Sequence, residues 1–321
     1  MVRFGARRRQ CTQCRRTWRI RPKRRGRPAY RGRPAWVARV LRQEHVLQHA
    51  TGRHRGITPQ AVTHRFRQAL RAFGAAPRSL RLGDGDLVLL IDGVWLQFRG
   101  CPWVLYLMAL KPVHADAAVF LDPVLLPGRE DLTHWIEVLA HMPVALHARI
   151  RALVADDLRG FVALAAERGW VLQLCHFHLV SRLQLRRGRR KRHLADRRRR
   201  ETLYQLTRAV ITQREGRTLQ RQLTRLRRLV AQPLAPARLR MTVRECLRRL
   251  AHYRAYRQYP DLRLPTTTGT VEAMAGLVRA LLARRRHLRS PQATRLWVTA
   301  FIRLHPEIAC NGVRHQPNSF V

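Results

Sequence analysis

The chain has 321 residues, 46% of them apolar, enough to bury one large domain or a core with appendages, and no apolar run reaches the roughly 18 residues that cross a bilayer. Against 64 Lys and Arg stand only 19 Asp and Glu, a net charge of +45; such a chain repels itself until a polyanion neutralises it, so nucleic acid is the expected partner. Six cysteines with a single close pair exclude a disulfide framework, and the opening MVRFGARRRQ lacks the apolar segment of a secretory signal, so a cytoplasmic, nucleoid-associated protein is expected.

Lysine occurs only at Lys23, Lys111 and Lys191, so the positive charge is almost all arginine, whose planar fork suits phosphate and guanine. Codon usage in a GC-rich genome accounts equally well for arginine over lysine, but not for the scarcity of acids. Residues 1–34 read as a basic arm with one compact element, Cys11-Thr12-Gln13-Cys14. Residues 35–78 read as helical. Trp36, Val37, Val40, Leu41, Val46 and Leu47 share one face. A second helix has Thr58 as N-cap, Pro59 in its first turn and a stripe of Val62, Phe66, Leu70 and Phe73. Two helices joined through Gly52 and Gly56 resemble a helix-turn-helix presenting Gln60, Thr63, His64 and Arg67 to DNA; an ordinary helical hairpin fits equally well.

From residue 84 to 176 the pattern changes. Three strands are predicted over Asp86–Leu96, Trp103–Leu110 and Ala117–Leu126, then a helix over Arg129–Met142, a strand ending at Val154, a helix over Leu158–Arg168 and a strand over Trp170–Leu174. Three strands followed by helix, strand, helix, strand predict an α/β fold of RNase H-like type, a mixed sheet whose first three strands are antiparallel. Residues 177–262 read as a basic all-α insertion. Residues 263–321 return to the core with helices from about Thr270 to His287 and from about Pro291 to Leu304.

Asp92 closes the most apolar run of the chain and Asp156 closes Arg151–Ala155, so two carboxylates are predicted at one edge of the sheet, where they repel unless a cation lies between them. Glu272 follows Pro265-Thr266-Thr267-Thr268-Gly269 in the first turn of a helix able to cover that edge. Three such acids can hold two Mg2+ (or Mn2+) ions ~4 Å apart, the arrangement for phosphodiester hydrolysis and strand transfer. Taken singly, each acid is as well explained as a helix cap or a charge complementing a helix dipole. Cys175 and His178 have metal-like spacing without a second pair, which favours packing and hydrogen bonding beside the site over ligation. The arginine blocks of residues 186–200, with Arg186, Arg187, Arg189 and Arg190, read either as a solvated face or as a phosphate clamp, and Arg279 lies two turns beyond Glu272 on a similar face.

The strings Leu90-Ile91-Asp92-Gly93-Val94-Trp95-Leu96, Val154-Ala155-Asp156-Asp157-Leu158-Arg159-Gly160-Phe161, Cys175-His176-Phe177-His178 and Pro265-Thr266-Thr267-Thr268-Gly269-Thr270-Val271-Glu272 stand in the order seen in Mutator-like bacterial insertion-sequence transposases of the DDE type, and residues 84–305 resemble that family. The resemblance implies a catalytic triad of Asp92, Asp156 and Glu272, a helical insertion before the Glu-bearing helix, Cys175 and His178 as the family's Cys-x-x-His signature, and homo-multimers on paired transposon ends. Asp157 departs from the glycine often found there, which leaves the register of the second aspartate open by one residue. Cys11 and Cys14, followed by Arg15-Arg16-Thr17-Trp18-Arg19, resemble the second half of a zinc ribbon such transposases often carry; two ligands alone do not hold structural zinc. The expected function is therefore metal-dependent cleavage of terminal inverted repeats and joining to target DNA. A nuclease or resolvase of the same fold, and a non-catalytic repressor derived from a decayed transposase, are the alternatives.

Overall fold

A computed structural model of the chain describes residues 2–3, 8–14, 17–19, 59–188, 196–233, 235–283 and 290–310. The chain forms two compact units, Met1–Pro77 and Arg78–Val321. Among the described residues no helix is long and apolar enough to cross a membrane.

In the first unit β1 (Val2–Arg3), β2 (Arg8–Gln10) and β3 (Thr17–Arg19) form an antiparallel sheet in that order, with Cys11–Cys14 between β2 and β3. The arm is thus more ordered than its composition predicts, because strands of two or three residues carry no readable alternation among arginines. Helix α1 (Pro59–Ala75) begins at the proline expected in its first turn. The helix predicted from Trp36 and its Gly52–Gly56 joint lie outside the described residues.

The second unit is a mixed α/β structure. Its strands are β4 (Leu87–Phe98), β5 (Cys101–Pro112), β6 (Ala117–Phe120), β7 (Val124–Pro127), β8 (Ile150–Ala155), β9 (Val171–Leu174) and β10 (Glu307–Ala309). The sheet order is β10-β6-β5-β4-β8-β9, with β7 also on β5; β4 to β7 and β10 pair antiparallel, and β8 and β9 add parallel to β4. Helices α2 (Leu132–Ala140), α3 (Val144–His147) and α4 (Phe161–Glu167) fill the connections around β8.

Alternation along β4 explains how both faces are covered. Leu87, Leu89 and Ile91 join a core containing Trp135 of α2 and Phe161 of α4, whereas Val88, Leu90 and Val94 join a second core. That second core contains Val271, Met274 and Val278 of α11 (Gly269–Ala283) and Val298 and Ile302 of α12 (Pro291–Leu304). Helix α12 starts at Pro291 behind Ser290, whose hydroxyl accepts from Ala293 N.

Three predicted boundaries shift. Strand β4 runs past the expected end at Leu96 to Phe98, because a two-residue turn, Arg99-Gly100, with φ of 51° and 81°, folds it onto an equally long β5. The predicted third strand divides into β6 and β7 around Pro123, which has no N–H for a ladder. Helix α4 begins at Phe161 rather than Leu158, after Gly160 at φ 102°.

Between β9 and α11 the described chain is helical: α5 (His176–Arg187), α6 (Arg197–Thr212), α7 (Arg217–Ala231), α8 (Ala237–Arg248), α9 (Leu250–Tyr253) and α10 (Ala255–Gln258). These helices stand despite their arginines because apolar stripes survive, as Leu219, Leu223, Leu226 and Val230 do on α7. Their return path is fastened to the sheet by polar groups. Gln173 donates to Tyr253 O at 3.2 Å and accepts from Tyr256 N at 2.9 Å, and His176 Nε2 lies 2.6 Å from Tyr253 O. Burial, with Arg254 nearby, holds the His176 ring down at about 4 against an ordinary value of 6.5. An unfolded histidine takes up its proton near 6.5 and the folded one only near 4, so stability is expected to fall as pH drops through that window, by up to about 3 kcal/mol. Urea unfolding of the wild type and His176→Asn at pH 7.5 and 5 measures this; an equal slope in both would assign the loss elsewhere.

Candidate active site

Pairing brings the two aspartates level. Leu89 and Leu90 of β4 face Leu153 and Val154 of β8, so the same register continued by two residues sets Asp92 against Asp156. Both positions keep the parity of Val88, Leu90, Ala152 and Val154, whose side chains reach the core under α11. Helix α11 carries Glu272 in its first turn. The three acids therefore lie on one side of the sheet where β8 stops, grouped around His178, although among the described residues only Cys175, His178 and Glu272 bring three ligand atoms within 4.8 Å of one another.

Around them the contacts are dense. His178 Nδ1 lies 4.0 Å from Asp156 Oδ1 and 3.6 Å from Glu272 Oε1, so one imidazole spans two of the acids. Thr268 donates its hydroxyl to Glu272 Oε1 at 2.6 Å and its backbone N–H to Cys175 Sγ at 3.3 Å. Burial, reinforced by Glu272 and Glu130, pushes the Asp92 carboxyl up to about 7, although His178 and the Gly93 N–H act the other way. Burial opposes charge on His178, yet Cys175, Asp156 and Asp92 outweigh it and push that ring up to about 9. Burial thus keeps a proton on Asp92, and Cys175 with the neighbouring acids keeps one on His178.

Neither protein-family models nor curated protein sequences match the chain. The site is therefore read from its own chemistry. Hard carboxylate oxygens suit Mg2+ or Mn2+. Cys175, His178 and Glu272 also offer three ligand atoms within 4.8 Å of one another, a softer set that brings in the third ligand the Cys-x-x-His spacing lacked.

Asp156 and Asp157 separate in role. Asp157, only 5% exposed, turns to the helices, where Arg249 pairs with it, Arg182 Nη2 lies 3.0 Å away and the Tyr253 hydroxyl 3.4 Å. Asp157→Ala would leave Arg249 to Glu245 at 2.7 Å and Arg182 to Asp156 at 3.8 Å and loosen the helices from β8, a loss of about 1–2 kcal/mol because both arginines keep a second carboxylate and partial access to water. The urea midpoint checks it, and an unchanged midpoint would reduce the contact to a bystander.

A fourth carboxylate, Glu130, escapes sequence reasoning, which places it inside a predicted helix. It precedes α2, accepts from Trp135 Nε1 at 2.9 Å and is raised by burial and by Asp156. A Cβ at Gly93 would lie 2.6 Å from its carboxylate, so any larger residue there would push the Glu130 side chain aside. The signal available in sequence is Trp135 itself, a buried indole on the inner face of a helix that needs an acceptor.

The proposed DNA contacts scatter. Gln60, His64 and Arg67 are exposed on α1; the side chain of Thr63 lies outside the described residues, as do Arg189 and Arg190. Arg186 and Arg279 are exposed. Arg187 departs from the clamp reading: it is 8% exposed, pairs with Glu201 at 3.0 Å and stacks on Tyr204 at 4.0 Å, so it is not presented to a duplex. Cys11 is half-buried and Cys14 exposed, both as free thiols. Hydrogen bonds from the Cys14 and Gln13 backbones lower the Cys11 thiol.

Proposed function

We propose that the chain is a DNA transposase with an RNase H-like core, which cleaves transposon ends and joins them to target DNA at Asp92, Asp156 and Glu272. The observation that carries the reading is the grouping of these three acids, from separate stretches of sequence, around His178 on one side of the sheet, where burial holds Asp92 at about 7. The sheet order supports the fold: antiparallel β4, β5 and β6, then β8 and β9 added parallel on the other side of β4, is the order an RNase H-like sheet requires.

Asp92, Asp156 and Glu272 would hold two Mg2+ or Mn2+ ions, which supply activation of an attacking oxygen and stabilisation of the leaving one. Thr268 and Cys175 orient the Glu272 carboxylate, and Asp157 anchors the helices beside it. Water and then a DNA 3′ hydroxyl serve as nucleophiles, so no covalent protein intermediate is needed. The surplus of arginine matches a polyanionic substrate, with the Met1–Pro77 unit for terminal repeats and homo-multimers on paired ends as further parts of the proposal.

Labelled terminal-repeat DNA incubated with protein and Mg2+ tests it. Joined products are expected. Nicks without joining would indicate a nuclease, and retention without turnover a repressor.

A further inference from the structure

A cavity of about 580 Å³ opens between α5 and α6, lined in part by Phe177, Arg187, Arg197, Tyr204, Arg208 and Thr267. The volume is in the range of sites for a single small ligand and too small for a base pair with its two backbones. Its chemistry is uneven. Three arginines line it against one acid, Glu201, and that acid is already paired with Arg187. Phe177 leaves 43% of its surface open, outside both cores. Tyr204 is held in place by the Arg187 guanidinium 4.0 Å over its ring, and the Arg208 guanidinium lies 5.6 Å from the same ring. Rings with arginines beside them are what a single-stranded nucleotide requires: a face to stack on and cations for its phosphate.

The position is as informative as the lining. Phe177 is the neighbour of His178, which spans Asp156 and Glu272, and Thr267 is the neighbour of Thr268, which donates to Glu272. Adjacent Cα atoms are only about 3.8 Å apart, so on two separate segments the cavity wall and the carboxylate cluster are one residue apart.

We infer that this cavity receives one unpaired nucleotide of a DNA strand, its base against Phe177 and its phosphate on Arg197 and Arg208, next to the phosphodiester presented to the acids. The polymer is taken from the DNA-acting function proposed for the acids; the unpaired state is new. The cavity then reads a displaced base and favours sites where pairing is already broken, since extruding a base costs least there.

The test uses full-length protein in EDTA at about 0.15 M salt, with a fluorescein-labelled duplex carrying one central bulged thymine and the same duplex fully paired. Anisotropy is expected to show the bulged duplex bound about tenfold tighter. Phe177→Ala, at an exposed ring, and Arg208→Ala, at an exposed arginine, should each remove most of that preference, with Phe177→Ala leaving paired-duplex affinity within about twofold. Equal binding of the two duplexes by the wild type, or a preference retained in both variants, overturns the inference. Since EDTA removes the metal, the outcomes separate: a bulge preference without Mg2+-dependent cleavage keeps the cavity and rejects the enzyme, and cleavage without preference does the reverse.

Discussion

Asp92→Asn is expected to lower Mg2+-dependent strand cleavage by about 10²–10³-fold or more while leaving DNA affinity within about twofold. The carboxylate lies at the meeting point of β4, β8 and α11, and removing its charge takes away a ligand without altering the shape of the side chain. The same change has a second, opposite effect. Burial raises Asp92 to about 7 from an ordinary 3.8, so the folded state binds its proton more tightly than the unfolded one, and charging it as pH rises from about 4 to about 7 costs stability. The asparagine variant escapes that cost and should be more stable without metal at pH 8, by roughly 1–3 kcal/mol. Added Mg2+ should then stabilise the wild type and not the variant, since only a bound ligand shifts unfolding. Mg2+ binding should tighten as pH rises through about 7, because the metal must displace the proton that Asp92 holds in the empty site. Labelled-DNA cleavage and urea midpoints with and without Mg2+ measure these effects; full activity in the variant would remove Asp92 from the site.

DNA affinity is expected to fall about 10³–10⁵-fold between 50 and 200 mM salt if six to ten phosphates are neutralised. With a net charge of +45 the chain has ample arginine for that number. The structure refines which arginines to change. Arg197, Arg198 and Arg199 open α6 and are exposed, whereas Arg187 is engaged by Glu201 and Tyr204 and Arg200 by Asp196 at 2.7 Å. Replacing Arg197, Arg198 and Arg199 with alanine should weaken binding to any sequence and reduce the log-log salt slope by roughly one for each phosphate left without its arginine. Filter binding across a salt series reads the slope. A slope equal to that of the wild type would place the phosphate contacts elsewhere.

What the sequence disclosed was what local pattern encodes. The two-residue alternation of Leu87 to Ile91, the proline-led starts of α1 and α12, and the apolar run of β8 before Asp156 could each be read within a few residues. Hidden features depended on distant partners. The extension of β4 past Leu96 is sustained by hydrogen bonds to β5 and not by its own mixed composition. Strand β10 exists because Glu307 to Ala309 finds β6, far away in sequence. Glu130 comes beside the acids through its bond from Trp135 and its closeness to Gly93, neither of which its own position in the chain announces. Asp156 and Asp157 are interchangeable as letters, and only distant partners, His178 beside the first and Arg249 on the second, set them apart.

That last pair has a mechanical meaning. Asp156 borders the acid cluster and Asp157 is gripped by Arg249 and Arg182, while Arg182 also lies 3.8 Å from Asp156, so a single peptide unit is the spindle between that cluster and the helical lobe. Tilting the lobe turns that spindle. A substitution deep among the helices, far from any substrate, can thereby retune the reach of Asp156.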